Sequence, residues 1–78
     1  MKDWRLTNQE SYLQGKTLRY IHWVSPKPGW DHDHCEFCWA KFPEEWEAGY
    51  CTLDGQHWIC PVCYRDFKAQ FGWRGESE

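Results

Sequence analysis

Two Cys-x-x-Cys pairs constrain the fold of this chain more than any other feature of its sequence. Cys35 is paired with Cys38 and Cys60 with Cys63, and 21 residues separate the two pairs. A two-residue gap lets one tight turn point both sulfur atoms at a single ion, and a second pair completes a tetrahedron. The spacing predicts a structural four-thiolate site for one Zn²⁺ per chain, with iron as the alternative that the same all-sulfur geometry accommodates.

The short length of the chain gives this site a structural purpose. A chain of 78 residues forms one domain, and so small a domain has a high ratio of surface to volume, for which metals or disulfides are common stabilising elements. Metal binding contributes directly to the free energy of folding. We predict a single zinc-binding domain over 1–78, with an N-terminal helix and strand within 1–31, a zinc-finger core at 32–73 and a tail at 74–78.

Cysteine usage favours thiols over disulfides. The five cysteines are an odd number, and the start of the chain lacks the apolar stretch of a secretory signal. No apolar run approaches the roughly 18 residues that a membrane span requires. These observations predict a cytoplasmic protein that does not enter membranes and holds its thiols reduced on a metal, with Cys51 left over as a small buried side chain.

Charge is distributed unevenly along the chain. Residues 1–31 carry five Lys or Arg against three Asp or Glu, whereas residues 32–78 carry four against nine. Because phosphate contacts dominate nucleic-acid affinity, this acidic balance disfavours DNA or RNA as the partner. We therefore expect another protein as the partner, and the basic residues near the N-terminus leave RNA or single-stranded DNA as an alternative.

Local signals before the first cysteine pair predict a short helix and a strand. Thr7 and Glu10 form a capping-box pattern that would start a helix ending near Gln14. Residues 17–24 are rich in aromatic and β-branched side chains, which favour a strand.

Between the two pairs the sequence predicts helical turns and then a hairpin. Residues 43–49 begin with proline and end with glycine, a pattern that favours one or two helical turns. The dipeptide at 54–55 is Asp-Gly, which favours a type I′ turn. That register would place Cys51 opposite Trp58.

The second pair is predicted to open a helix. Pro61 suits the first turn, and aromatic side chains recur on one helical face at Tyr64, Phe67 and Phe71. Gly72 would end the helix, with Trp73 folded back on its last turn.

This order of knuckle, hairpin and helix resembles the treble-clef group of zinc fingers over about residues 33–73. The resemblance implies a small α+β metal-stabilised domain whose zinc ligands are Cys35, Cys38, Cys60 and Cys63. The whole chain is also similar to a family of small uncharacterised bacterial zinc-binding proteins, through residues 3–8, 30–38, 49–51 and 58–61. That family supplies no activity to transfer to this chain.

The residues that follow the two cysteine pairs differ from those of rubredoxin, an iron protein with similar cysteine knuckles. Rubredoxin knuckles commonly have glycine there, whereas this chain has Trp39 and Tyr64. These bulky residues disfavour a redox iron site.

Two histidines flank the first cysteine pair. His32 and His34 are candidate ligands or partners of the ligands, and either could form a second site with Cys51. A loop histidine bonded to Asp31 or Asp33 is the simpler expectation, because four cysteines already close the tetrahedron.

An enzymatic role has little support in the sequence. Residues 34–36 and the second cysteine pair match part of a zinc deaminase signature, in which Glu36 would transfer protons. Ile59 stands where that signature has proline, and the chain is too short for that fold.

His57 is expected to pack across the hairpin.

The seven tryptophans are mainly expected to build the core of a small domain. Trp30 and Trp39 bracket the first cysteine pair and are expected to be exposed as a recognition surface, with Arg19 and Lys27 nearby. Such a surface suits a peptide, and stacking on bases is the alternative.

The sequence therefore predicts a non-enzymatic zinc-binding module that docks another protein. A closed four-cysteine site has no open position for a substrate. The alternatives are a redox- or metal-responsive thiol protein, in which Cys51 resolves an oxidised thiolate, and a finger that binds RNA or single-stranded DNA.

Overall fold

The computed structural model describes residues 3–25 and 27–75 and shows a small mixed α+β domain. Within these residues the elements follow one another as α1 (Glu10–Leu13), β1 (Thr17–His22), β2 (Asp33–His34), β3 (Lys41–Phe42), β4 (Ala48–Thr52), β5 (Trp58–Ile59), α2 (Pro61–Phe71) and β6 (Arg74–Gly75). None of the helices in the described part of the chain is long and apolar enough to cross a membrane.

Strand β1 lies inside a four-stranded sheet with the order β5-β4-β1-β6. It pairs antiparallel with β4, where Tyr20 stands opposite Tyr50, and parallel with β6, where Thr17 stands opposite Arg74. Strands β2 and β3 form a separate two-stranded ladder that carries the first cysteine pair between its strands. The strand predicted at 17–24 is thus confirmed, although it ends at His22.

The predicted hairpin is present, with Cys51 opposite Trp58 as expected. Its turn is not type I′, because Gly55 has a positive φ of 74° and Asp54 does not. The Asp54 carboxylate accepts hydrogen bonds from the Thr52 hydroxyl and from the backbone N–H of Gln56. These side-chain bonds stabilise the turn while Asp54 keeps an ordinary backbone conformation.

The prediction of a capping box at Thr7 is wrong, because α1 begins only at Glu10. Asn8 takes a left-handed conformation (φ 79°), which turns the chain away from a helix at that point. The fully buried Gln9 side chain accepts a bond from the Thr7 N–H and donates one to the Glu36 carbonyl, at 2.6 and 2.9 Å. Gln9 therefore ties this segment to the first cysteine knuckle.

The helical turns predicted at 43–49 are also wrong. The chain makes a turn at 43–45, and Gly49 lies within β4. A Cβ atom on Gly49 would stand 2.6 Å from Cε2 of the buried Phe42 ring. The glycine is needed for close packing of β4 against the Phe42 ring of β3 rather than for ending a helix.

Helix α2 forms as predicted and places its aromatic face in the core. Tyr64, Phe67 and Phe71 are all buried, and the Tyr64 ring stacks on Tyr50 of β4 with centroids 3.5 Å apart. Gly72 ends the helix in the left-handed conformation. Trp73 then folds back, and its indole N–H donates to the Leu13 carbonyl at 2.8 Å.

Candidate metal centre

The structure brings four cysteine sulfurs together. The Sγ atoms of Cys35, Cys38, Cys60 and Cys63 all lie within 4.8 Å of one another. The Cys38 and Cys60 sulfurs are 3.6 Å apart. A zinc tetrahedron with bonds of about 2.3 Å has sulfurs about 3.8 Å apart, so a single ion fits this cluster. Four thiols are also the donor set that Zn²⁺ or iron prefers in tetrahedral sites.

The first pair lies in a tight knuckle between β2 and β3. The Cys35 N–H donates to the Ala40 carbonyl at 2.8 Å, which closes the loop. The Phe37 N–H donates to the Cys35 sulfur at 3.4 Å, and Phe37 packs its ring on Phe67 of α2. Trp39 leaves the loop with a positive φ of 67°. The knuckle is thus anchored to the core by Phe37 while Trp39 turns the chain toward β3.

The second pair lies at the start of α2. Cys60 is the N-cap, and its sulfur accepts a bond from the backbone N–H of Cys63 at 3.5 Å. The Cys60 N–H in turn donates to the Cys35 sulfur at 3.4 Å, which joins the two pairs. Free N–H groups and the positive end of the helix dipole stabilise thiolates at this position.

Burial makes the cluster part of the core. Cys35, Cys60 and Cys63 are each at most 1% exposed, and Cys38 alone of the four is partly accessible. A site buried in this way and supplied with four protein ligands matches a closed structural site.

Close contacts among three of the four thiols shift their pKa values. Hydrogen bonds from Cys60 and then Cys63 lower the pKa of Cys35 below the ordinary thiol value. The same contacts with Cys35 raise the pKa of Cys60, and Cys35 followed by Cys60 raises the pKa of Cys63. The contacts among these three sulfurs therefore oppose their joint ionisation, and a cation bound between them would favour it.

The histidines and the fifth cysteine stand outside this cluster. Among the described residues the metal-holding group contains only the four paired cysteines. His32 Nδ1 lies 2.6 Å from the Asp31 carboxylate, and the exposed His34 ring lies 5.0 Å from that of His32. Cys51 is buried in β4 opposite Trp58.

Trp39 is the exposed member of the predicted recognition pair. Its side chain is 67% exposed, and its ring lies 6.1 Å from that of His34. Trp4 is similarly exposed, at 70%, although no sequence pattern around it predicts a surface position.

The other predicted recognition residues occupy two different places. Trp30 is half-buried and donates its indole N–H to Asp33 at 3.0 Å, and Lys27 Nζ lies 5.6 Å from its ring. Arg19 instead donates to the Leu53 carbonyl at the hairpin turn. Lys27 thus accompanies Trp30, whereas the guanidinium of Arg19 lies against the hairpin.

Sequence reasoning missed a polar cluster beside the knuckle. His57 Nδ1 lies 2.8 Å from one oxygen of the Glu36 carboxylate, and the Tyr12 hydroxyl donates to the other at 3.2 Å. Burial and then the Glu36 charge raise the pKa of Tyr12 to about 12. Tyr12 and His57 border an open groove of about 810 Å³. These residues are distant in sequence, so no local pattern predicts their contact.

A second missed residue is Arg5, whose guanidinium Nη1 lies 3.5 Å from the Cys63 sulfur. The two residues stand 58 positions apart, and nothing in the local sequence around either one indicates the contact.

Comparisons of the chain with models of protein families, with curated proteins and with solved structures return no match. The assignment of the metal centre therefore depends on its own geometry and on the chemistry of its four thiols.

Proposed function

We propose that the protein is a non-enzymatic zinc-binding module that binds another protein. One Zn²⁺ held by the four clustered sulfurs would cross-link the knuckle to the start of α2 and so stabilise the fold. The knuckle, the β4–β5 hairpin and α2 follow one another in the treble-clef order, which supports a treble-clef-like zinc finger. A cytoplasmic location belongs to the proposal, because reduced thiols persist there.

The position of Trp39 is the observation that carries the binding role. A left-handed backbone costs a residue with a Cβ about 1–2 kcal/mol relative to glycine. Trp39 adopts this conformation while most of its side chain faces solvent. A large, strained and exposed aromatic residue next to a metal ligand is typical of a binding hot spot rather than of a core position.

The chemistry of the site supports a structural role for the metal. Four protein ligands leave a zinc ion no open position for a substrate or a reactive water. The Glu36 carboxylate would support the same role. One of its oxygens accepts a hydrogen bond from Tyr12 of α1, and the other contacts His57 of the hairpin, so Glu36 joins the knuckle to both elements.

The binding role can be tested by affinity capture with tryptophan variants. Zinc-loaded wild type, Trp39→Ala and Trp4→Ala would be immobilised and exposed to lysate of the source organism. Trp4 is the matched control, because it is an equally exposed tryptophan in another part of the chain. We expect one protein to be retained by wild type and Trp4→Ala and lost with Trp39→Ala. Equal retention by all three variants would contradict the proposal.

A redox-responsive thiol protein is the second candidate. The Cys38 and Cys60 sulfurs are 3.6 Å apart, and Cys38 is partly accessible. Peroxide would take two electrons from these two thiolates, which would form a disulfide while the peroxide and two protons become two waters and zinc is released. Zinc release at one equivalent of peroxide per chain would favour this candidate, and retention of zinc at that dose would contradict it.

A further inference from the structure

We infer that Arg5 is a positioning residue of the metal centre. Its guanidinium donates a charged hydrogen bond to the Cys63 sulfur and thereby sets how tightly the site retains Zn²⁺. This inference rests on the zinc site proposed above. It concerns a residue 58 positions from Cys63 in the chain that reaches the ligand through its side chain.

The guanidinium of Arg5 lies directly on the cluster. Nη1 is 3.5 Å from the Cys63 sulfur and 3.1 Å from the Asp66 carboxylate one turn along α2. Only 17% of the Arg5 side chain is exposed, and Cys63 is 1% exposed. The contact is therefore shielded from solvent, where a charged hydrogen bond is stronger than at the surface.

Other contacts fix Arg5 in this position. Nη2 and Nε donate to the two carboxylate oxygens of Asp3 at 2.7 and 3.0 Å. The guanidinium also lies over the Phe67 ring, 4.5 Å from its centroid. Two carboxylates and an aromatic face hold the planar group in place, so little side-chain entropy is lost when it contacts the sulfur.

The hydrogen bonds to the other sulfurs explain what Arg5 adds. The Cys35 sulfur accepts backbone N–H bonds from Phe37 and Cys60, and the Cys60 sulfur accepts one from Cys63. The Cys63 sulfur accepts a side-chain bond from Arg5 instead. Arg5 therefore gives the Cys63 sulfur a charged N–H donor, whereas those two sulfurs receive neutral backbone N–H donors.

Removing this cation has two expected effects. Loss of one charged hydrogen bond to a ligand weakens zinc binding by about tenfold. A Cys63 sulfur without Arg5 is also richer in electrons, so the thiolate-to-metal charge-transfer band of the cobalt-substituted protein moves to lower energy. A residue that only supported the fold would not move this band.

The test compares Arg5→Met, Arg5→Lys and Arg74→Met with wild type. Methionine keeps an apolar stem over Phe67 and lysine keeps the charge, whereas Arg74→Met removes an exposed cation from β6 as a control for net charge. Zinc affinity would be measured by competition with a chromophoric chelator, and the cobalt spectrum by absorption. We expect the weaker affinity and the band shift in Arg5→Met, partial recovery in Arg5→Lys, and wild-type behaviour in Arg74→Met.

The possible failures are distinguishable. If wild type binds metal and Arg5→Met matches it in both affinity and spectrum, the role of Arg5 is refuted and the zinc site stands. If Arg5→Met binds more weakly with an unshifted cobalt band, Arg5 supports only the fold, and the inference is again wrong. If wild type itself binds neither zinc nor cobalt, the proposed function fails together with the inference.

Discussion

Trp39 offers a sharp test of the knuckle geometry. Its positive φ of 67° should make the glycine variant more stable than the alanine variant, the opposite of the usual order. Replacing it by alanine or by glycine removes the same indole contacts. The two variants differ in that alanine keeps a Cβ, which costs about 1–2 kcal/mol in the left-handed conformation. At ordinary positions glycine is instead the less stable of the two by about 0.5–1 kcal/mol.

The two effects oppose each other, and the conformational cost is the larger. We expect the free energy of unfolding of Trp39→Gly to exceed that of Trp39→Ala by about 1 kcal/mol. In a domain of this size that difference corresponds to about 4–8 °C in Tm. The measurement is denaturant unfolding of the zinc-loaded variants at one buffered zinc concentration, since bound metal shifts apparent stability.

A second pair of variants provides the control. Arg65 is an exposed residue in the middle of α2, so Arg65→Ala should be more stable than Arg65→Gly by about 1 kcal/mol. The order at residue 39 should be the opposite. If alanine at position 39 is as stable as glycine or more so, the left-handed conformation is wrong, and the strain argument for a binding role fails with it.

Three further predictions follow from the fold and the site. Cys60→Ser should leave the chain unfolded, as measured by circular dichroism, because structural zinc contributes on the order of 10 kcal/mol to folding. The control variant His34→Ala should stay folded and zinc-loaded. Gly49→Ala should lower the free energy of unfolding by about 1–3 kcal/mol, since its Cβ would stand 2.6 Å from Phe42; an unchanged denaturation midpoint would contradict this packing. The raised pKa of Tyr12 means that the folded state holds this proton more tightly, so the associated stability is present below the ordinary value of 10.0 and is lost as pH rises through about 12. Tyr12→Phe should show a shallower alkaline loss of stability in that range, and a profile identical to wild type would refute the assignment.

The parts of the fold that the sequence predicted are those specified by nearby residues. The hairpin register and the end of α2 at Gly72 depend on turn and capping signals a few positions long. The clustering of the two cysteine pairs could be predicted because one ion requires all four sulfurs, however far apart they are in the chain.

The parts that sequence reasoning missed depend on contacts between distant residues. Gln9 was expected inside a helix, but its buried amide bonds to the Glu36 carbonyl, 27 positions away. The Arg5 contact with Cys63 is likewise set by tertiary structure rather than by any local pattern. The sequence around Gly49 predicts a helix end, but glycine suits a close packing contact equally well, and the structure has the packing contact.

The position of β1 inside the larger sheet determines whether a shorter fragment of the chain would stay soluble. A fragment starting at residue 32 would keep all four paired cysteines but lose the strand that lies between β4 and β6. Both remaining strands would then present unpaired backbone groups, and an exposed strand edge promotes association with other chains. Such a fragment should load metal and still aggregate, so a shorter unit that stays soluble must retain at least β1.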